Sequence, residues 1–227
     1  MARRGSNNSR EIRRAARAAV AALAKNNIKS CVFGSAACQI YGMSNREPND
    51  VDIVLLTNDG RDIEYIKSLV VESDDRFYLS RSKNPRATYK ILYFSLNRGR
   101  ACKVDILLPG RATSLNIPVI PIRELQYVDP YGDIPVMPLV PLLLMKLQGW
   151  TDHRDAKESC KQDKEPEDVE DLFALLQLAV EDYKAHISDE YDWMPDAFVG
   201  AAEERVDEFV EEHPRSEKYW RKIGFEV

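Results

Sequence analysis

The sequence predicts an α/β (α+β) protein: a mixed β-sheet core with flanking helices, followed by a C-terminal helical half. Three observations lead there. Short apolar runs of strand length alternate with helical patterns over residues 27–110. Five prolines (Pro118, Pro121, Pro130, Pro135 and Pro138) then punctuate an irregular stretch. Beyond them the apolar residues recur at helical spacing. The expected organisation is a basic N-terminal helix over 1–26, an α/β core over 27–110, a Pro-rich connection over 111–140 and a helical half over 141–227.

Taken in order, residues 1–8 read as disordered. A helix capped by Ser9 is expected to run to about Lys25, with Ile12, Ala15, Ala16, Ala19, Val20 and Leu23 on one face and arginines on the other. Ile28–Phe33 reads as a short strand, Gly34-Ser35 as a turn, and Ala36–Gly42 as a short helix closed by its glycine. A polar loop over 43–49 leads into a strand over Asp50–Thr57. Asn58-Asp59-Gly60 is a turn signal. Asp62–Glu72 reads as a helix with Ile63, Ile66, Leu69 and Val70 inward. Strands are expected over Arg76–Ser82 and Thr88–Leu96. Asn97-Arg98-Gly99 then turns into a last strand, Ala101–Leu108. In the helical half, Pro141 fits the first turn of a helix reaching about Gly149. Thr151–Lys164 reads as a charged loop. Pro166 and Pro195 open helices to about Val180 and Glu212, and a short last helix includes Tyr219, Trp220 and Ile223.

Composition narrows the function. Of 227 residues, 44% are hydrophobic, enough for a core, and no apolar run reaches membrane-spanning length. No apolar stretch follows the basic start, so the expected setting is cytoplasmic, with a mitochondrial presequence as a second option. Cys31, Cys38, Cys102 and Cys160 form no C-x-x-C pair, which points to a reducing compartment and ordinary buried thiols. The three histidines are not spaced like a zinc site. The net charge of -5 conceals an asymmetry. Residues 1–30 carry eight Lys/Arg and one acid; residues 151–227 carry ten Lys/Arg against 23 acids. The basic arm reads either as an RNA-phosphate contact or as a solvated helix face. The acidic half is a candidate protein-partner surface.

The chemistry concentrates in FGSAACQIYGMSNREPNDVDIVLL, residues 33–56. Along a strand side chains alternate, so Asp50 and Asp52 share one face and Val51 and Ile53 the other. Two such carboxylates resist burial unless a cation sits with them. Oxygen-only ligands suit Mg²⁺ or Mn²⁺. Asp105, in V-D-I-L-L, repeats the pattern of Asp52 in V-D-I-V-L-L; if the two strands are neighbours, three carboxylates converge as in a two-metal phosphoryl-transfer site. Gly34 allows close approach of the backbone to a phosphate, and Ser35 adds a donor.

This succession of strand, Gly-Ser, helix, loop, D-x-D strand and a third Asp on a later strand resembles the nucleotidyltransferase superfamily with the polymerase-beta-like fold. The likeness covers about Ile28 to Leu108. It implies two Mg²⁺ (or Mn²⁺) ions and transfer of a nucleoside monophosphate from an NTP, ATP among them, to a hydroxyl. By the resemblance, Gly34 and Ser35 would hold the β/γ-phosphates, Asp50 and Asp52 would bind both ions, and Asp105 would bind the ion that activates the acceptor. Lys146, followed by Asp168 and Asp171 in EPEDVEDLFALL, resembles the helical half of AbiEii-type nucleotidyltransferase toxins. There the Lys would contact the triphosphate. Glu167 departs from that pattern, which has Lys or Arg before the first Asp.

Each of these residues has a plainer reading. Asp50 reads as a turn residue at a strand edge, Asp105 as an acid on an exposed edge strand, and Gly34-Ser35 as a helix start. Lys146 reads as a snorkelling lysine. Asp168 and Asp171 read as solvated first-turn acids favoured by the helix dipole. The alternative for the whole chain is a catalytically inactive relative that binds nucleotide, RNA or a protein partner. The acceptor is open among RNA 3′ ends, a protein hydroxyl and a small molecule.

Overall fold

Asn8, not Ser9, caps the first helix. The computed structural model describes residues 8–110, 113, 115–189 and 192–227, so the expected disorder at 1–8 lies, but for Asn8, outside them. Helix α1 spans Ser9–Lys25. Asn8 is extended, its side chain accepts from the Glu11 amide at 3.0 Å, and the Glu11 carboxylate accepts from the Asn8 amide at 3.2 Å. This reciprocal capping box satisfies two otherwise orphaned donors. Ser9 is already helical and donates its hydroxyl to Glu47 instead.

The chain groups into two compact units. One takes the described residues of Met1–Ile40 and Arg46–Met137; the other takes those of Tyr41–Asn45 and Pro138–Val227.

The first unit is built on a mixed five-stranded sheet in the order β1-β2-β5-β4-β3. The strands are β1 (Ser30–Phe33), β2 (Asp50–Leu55), β3 (Phe77–Arg81), β4 (Lys90–Ser95) and β5 (Ala101–Leu107). β2 and β5 run parallel as neighbours; the other pairs are antiparallel. β1 begins two residues later than expected because the Ile28 amide still bonds to Leu23 at the end of α1. Alternation gives the sheet two unlike faces. Phe77, Leu92, Phe94, Cys102, Val104, Val51 and Ile53 form a buried apolar face. Against it pack α1, through Ile12, Ala15, Ala19 and Leu23, and α3 (Ile63–Ser73), through Ile66 and Val70. The other face is half-exposed and carries Asp50, Asp52, Lys103, Asp105, Tyr93 and Tyr78. Within the Pro-rich stretch, Val136 bridges to Val32, with the Val32 amide donating to Pro135 at 2.8 Å, so the outer edge of β1 is covered. Helix α2 (Gly34–Tyr41) leaves the end of β1 directly.

The second unit is helical: α4 (Leu139–Arg154), α5 (Ser159–Gln162), α6 (Glu165–Glu181), α7 (Asp196–Glu212) and α8 (Glu217–Ile223). Over residues 139–150, α4 is mostly apolar and almost wholly buried. It runs five residues past Gly149 into the expected charged loop, and the reason is packing. Trp150 is fully buried, edge-on to Phe209 at 4.9 Å. Arg154 pairs with Glu208 and Glu212 of α7 at 2.7 and 2.8 Å. Charge at 151–154 marks helix-to-helix pairing, not a connection. Tyr41–Asn45 belongs here through real contacts: the Tyr183 hydroxyl donates to the Tyr41 carbonyl at 2.9 Å, and Gly42 lies beside Leu178. No helix among the described residues is long and apolar enough to cross a membrane.

Candidate active site

The site is built at the end of β1 and on the open face of β2 and β5. Phe33, the last residue of β1, is the cross-strand partner of Asp52. The chain then enters α2 through Gly34 at φ +63, a left-handed conformation that glycine adopts without strain. A Cβ built on Gly34 would lie 2.5 Å from Asp52 Oδ2. The missing side chain is therefore what lets the helix start press against the carboxylate. Arg46, from the loop before β2, donates from Nη2 to Ser35 Oγ at 2.8 Å.

The register of β2 and β5 brings the acids together. Asp52 and Asp105 are direct cross-strand partners, and Asp50 faces Lys103 in the same way. Partners in a ladder share a face, so three carboxylates and one lysine occupy adjacent places. Lys103 Nζ donates to Asp105 Oδ2 in an ion pair. Burial pushes the Lys103 ammonium down, but its hydrogen bond to Asp105 and the charges of Asp105, Asp50 and Asp52 outweigh that, and the net shift is upward. On the far side of β5 the Cys102 thiol is pushed up to about 12, by burial first and then by the charges of Asp50, Glu11 and Asp52. Among the described residues, no three His, Cys, Asp or Glu side chains form a group that could hold a metal ion as it stands.

No family model matches the chain, and no curated protein does. The fold has a solved counterpart. The crystal structure of an antigenic nucleotidyltransferase-like protein from Paracoccidioides brasiliensis superposes with a TM-score of 0.68, covering 96% of this chain and 95% of that one, at 14% identity. The chain has a nucleotidyltransferase-like fold.

The nucleotidyltransferase-like fold accounts for the order of elements that the motif follows. The remaining expected residues sit in the helical unit. Asp171 is 0% exposed and accepts from Lys146 Nζ and from Asn45 Nδ2, each at 2.7 Å. Asp168 is buried too, 2.5 Å from His153 Nδ1. Neither is a solvated first-turn acid: both face α4, which supplies a lysine and a histidine as partners. Lys146 does not snorkel to water but ends on Asp171.

Sequence reasoning missed four residues at these sites. Lys103 was legible, since alternation along ACKVDILL puts it on the face of Asp105. Arg46 and Asn45 sit in a polar loop, where no periodicity marks them. His153 fell in the expected loop. Of the basic arm read as a possible RNA contact, Arg3 and Arg4 lie outside the described residues, and three of the α1 arginines have partners within the sheet unit. Arg17 pairs with Asp133, Arg13 lies 4.4 Å from the Tyr131 ring centroid, and Arg14 lies 5.4 Å from that of Phe94.

Proposed function

We propose that this protein is a divalent-metal-dependent nucleotidyltransferase that moves a nucleoside monophosphate from an NTP to a hydroxyl acceptor. The observation that carries this reading is the register pairing of Asp52 with Asp105, with Asp50 on the same face and Gly34 against Asp52. The donor chemistry fits Mg²⁺ or Mn²⁺: three hard carboxylate oxygen ligands and no sulfur or imidazole. Two ions bound there would neutralise the triphosphate and activate the attacking hydroxyl. Asp50 and Asp52 would hold both ions, and Asp105 the one on the acceptor side. Ser35 Oγ and the Arg46 guanidinium would orient phosphate oxygens at the start of α2. Lys146 remains a candidate for the triphosphate through the family pattern, although its ammonium is already held by Asp171.

A second reading has an observation of its own. Lys103 already pairs with Asp105, as a permanent replacement for a cation would. On that reading the protein binds nucleotide without transferring it.

One assay separates the two. The purified chain is incubated with Mg²⁺ and each α-labelled NTP, with and without total RNA, beside Asp52→Ala. Label passing to RNA, to protein or to a small acceptor in the wild type but not in the folded variant is the expected result. Equal labelling by both would remove Asp52 from the site. NTP binding with no transfer to any acceptor class would favour the second reading.

A further inference from the structure

Lys103 is a charged residue on the open sheet face that the family pattern does not explain. Its Cα is the register partner of Asp50, its ammonium meets Asp105, and the charges of Asp50 and Asp52 act on that ammonium as well. It therefore lies among the three carboxylates proposed as metal ligands. We infer that Lys103 is a tethered counter-ion that must release Asp105 before a divalent ion can be held, so that the site takes its metal together with a triphosphate rather than alone. This rests on the nucleotidyltransferase reading above.

Three physical points support it. Like-charged carboxylates on adjacent strands need a cation, and Lys103 brings one by strand alternation alone. The pair is half-exposed, 40% at Lys103 and 34% at Asp105, so a four-carbon stem has room to swing outward. A displaced ammonium then needs a new anion, which the triphosphate supplies. Mg²⁺ is commonly held by only one or two carboxylates with substrate phosphates completing its shell. A complex of metal and triphosphate thus offers both the incoming cation and the partner for the outgoing one. Free metal offers only the first.

The test is Mn²⁺ titration of the full-length chain, following free Mn²⁺ by its electron spin resonance signal, with and without a non-hydrolysable NTP analogue. Wild type, Lys103→Met and Asp52→Ala are compared, with Lys103→Gln in place of the Met variant if that one does not fold. The expected result is that removing the Lys103 charge tightens binding of Mn²⁺ alone by at least roughly tenfold, the size of effect that a nearby like charge has on a charged group. The analogue should help the wild type far more than Lys103→Met. In EDTA the charge-removed variant should melt below the wild type, and Mn²⁺ should restore it. Equal affinity of wild type and Lys103→Met for Mn²⁺ alone, with binding lost in Asp52→Ala, would overturn the role of Lys103 and leave the metal site standing. No Mn²⁺ binding by any form, with or without analogue, would overturn the nucleotidyltransferase reading itself.

Discussion

Gly34 is under two constraints at once. Its backbone is left-handed, and any Cβ would meet Asp52 Oδ2. Left-handed backbone costs a non-glycine residue about 1–2 kcal/mol, and the clash forces the carboxylate to move. Gly34→Ala is therefore expected to fold with a modestly lowered melting temperature, yet to lose most nucleotide transfer and Mn²⁺ binding. Wild-type turnover in this variant would show that the close approach has no bearing on the chemistry. The aspartates themselves were legible because a lone acid in an apolar strand is costly and so calls for a reason. Lys103 was not singled out, because a lysine two residues from an aspartate on a half-exposed strand is ordinary. Only the register with Asp50 makes it informative.

At the scale of elements, α4 and α6 are joined by polar pairs, Lys146 with Asp171 and His153 with Asp168. Asp171 is fully buried, and Lys146 and Asn45 are the partners that make its charge tolerable. Removing one partner of a buried pair typically costs about 3–5 kcal/mol. Lys146→Met should consequently lower the thermal midpoint of the full chain, by roughly 6–20 °C at about 2–4 °C per kcal/mol for a protein of this size. Circular dichroism of the full chain would measure it. A variant that melts like the wild type but has a raised KM for NTP would make Lys146 a triphosphate ligand first. Helix positions were legible from proline placement and periodicity: Pro166 and Pro195 fall within two residues of where α6 and α7 begin. The length of α4 was not legible, since its last turn is charged, and the buried Trp150, the α7 acids and the pairing of His153 with Asp168 explain why it continues.

At the scale of the molecule, the nucleotidyltransferase-like fold could be read from the order of strand, Gly-Ser, helix and D-x-D, because each step carries its own local signal. The make-up of the helical unit could not. It includes Tyr41–Asn45, taken from between two parts of the sheet unit, and hydropathy does not show which neighbours a short loop will choose. A fragment of residues 138–227 would lack both the Asn45 amide on Asp171 and the Tyr41 carbonyl under Tyr183. A hydrogen bond to a charged group is worth about 1.5–3 kcal/mol. The fragment should melt below the same helices in the full chain, and joining residues 41–45 to it through a flexible linker should recover part of the difference. A fragment as stable as the helices in the full chain would mean that those five residues are passengers.

That interruption also has a consequence in time. A ribosome makes Tyr41–Asn45 roughly ninety residues before it reaches Pro138, a delay of about 5–20 s at ~5–20 residues per second. Through that interval Tyr41 and Met43, both buried in the finished protein, wait for helices that do not yet exist. The sheet unit, by contrast, has all of its strands once Leu107 has emerged. Synthesis thus imposes an order of assembly, in which the unit that carries the aspartates can close first and the helices gather afterwards on a segment laid down before them.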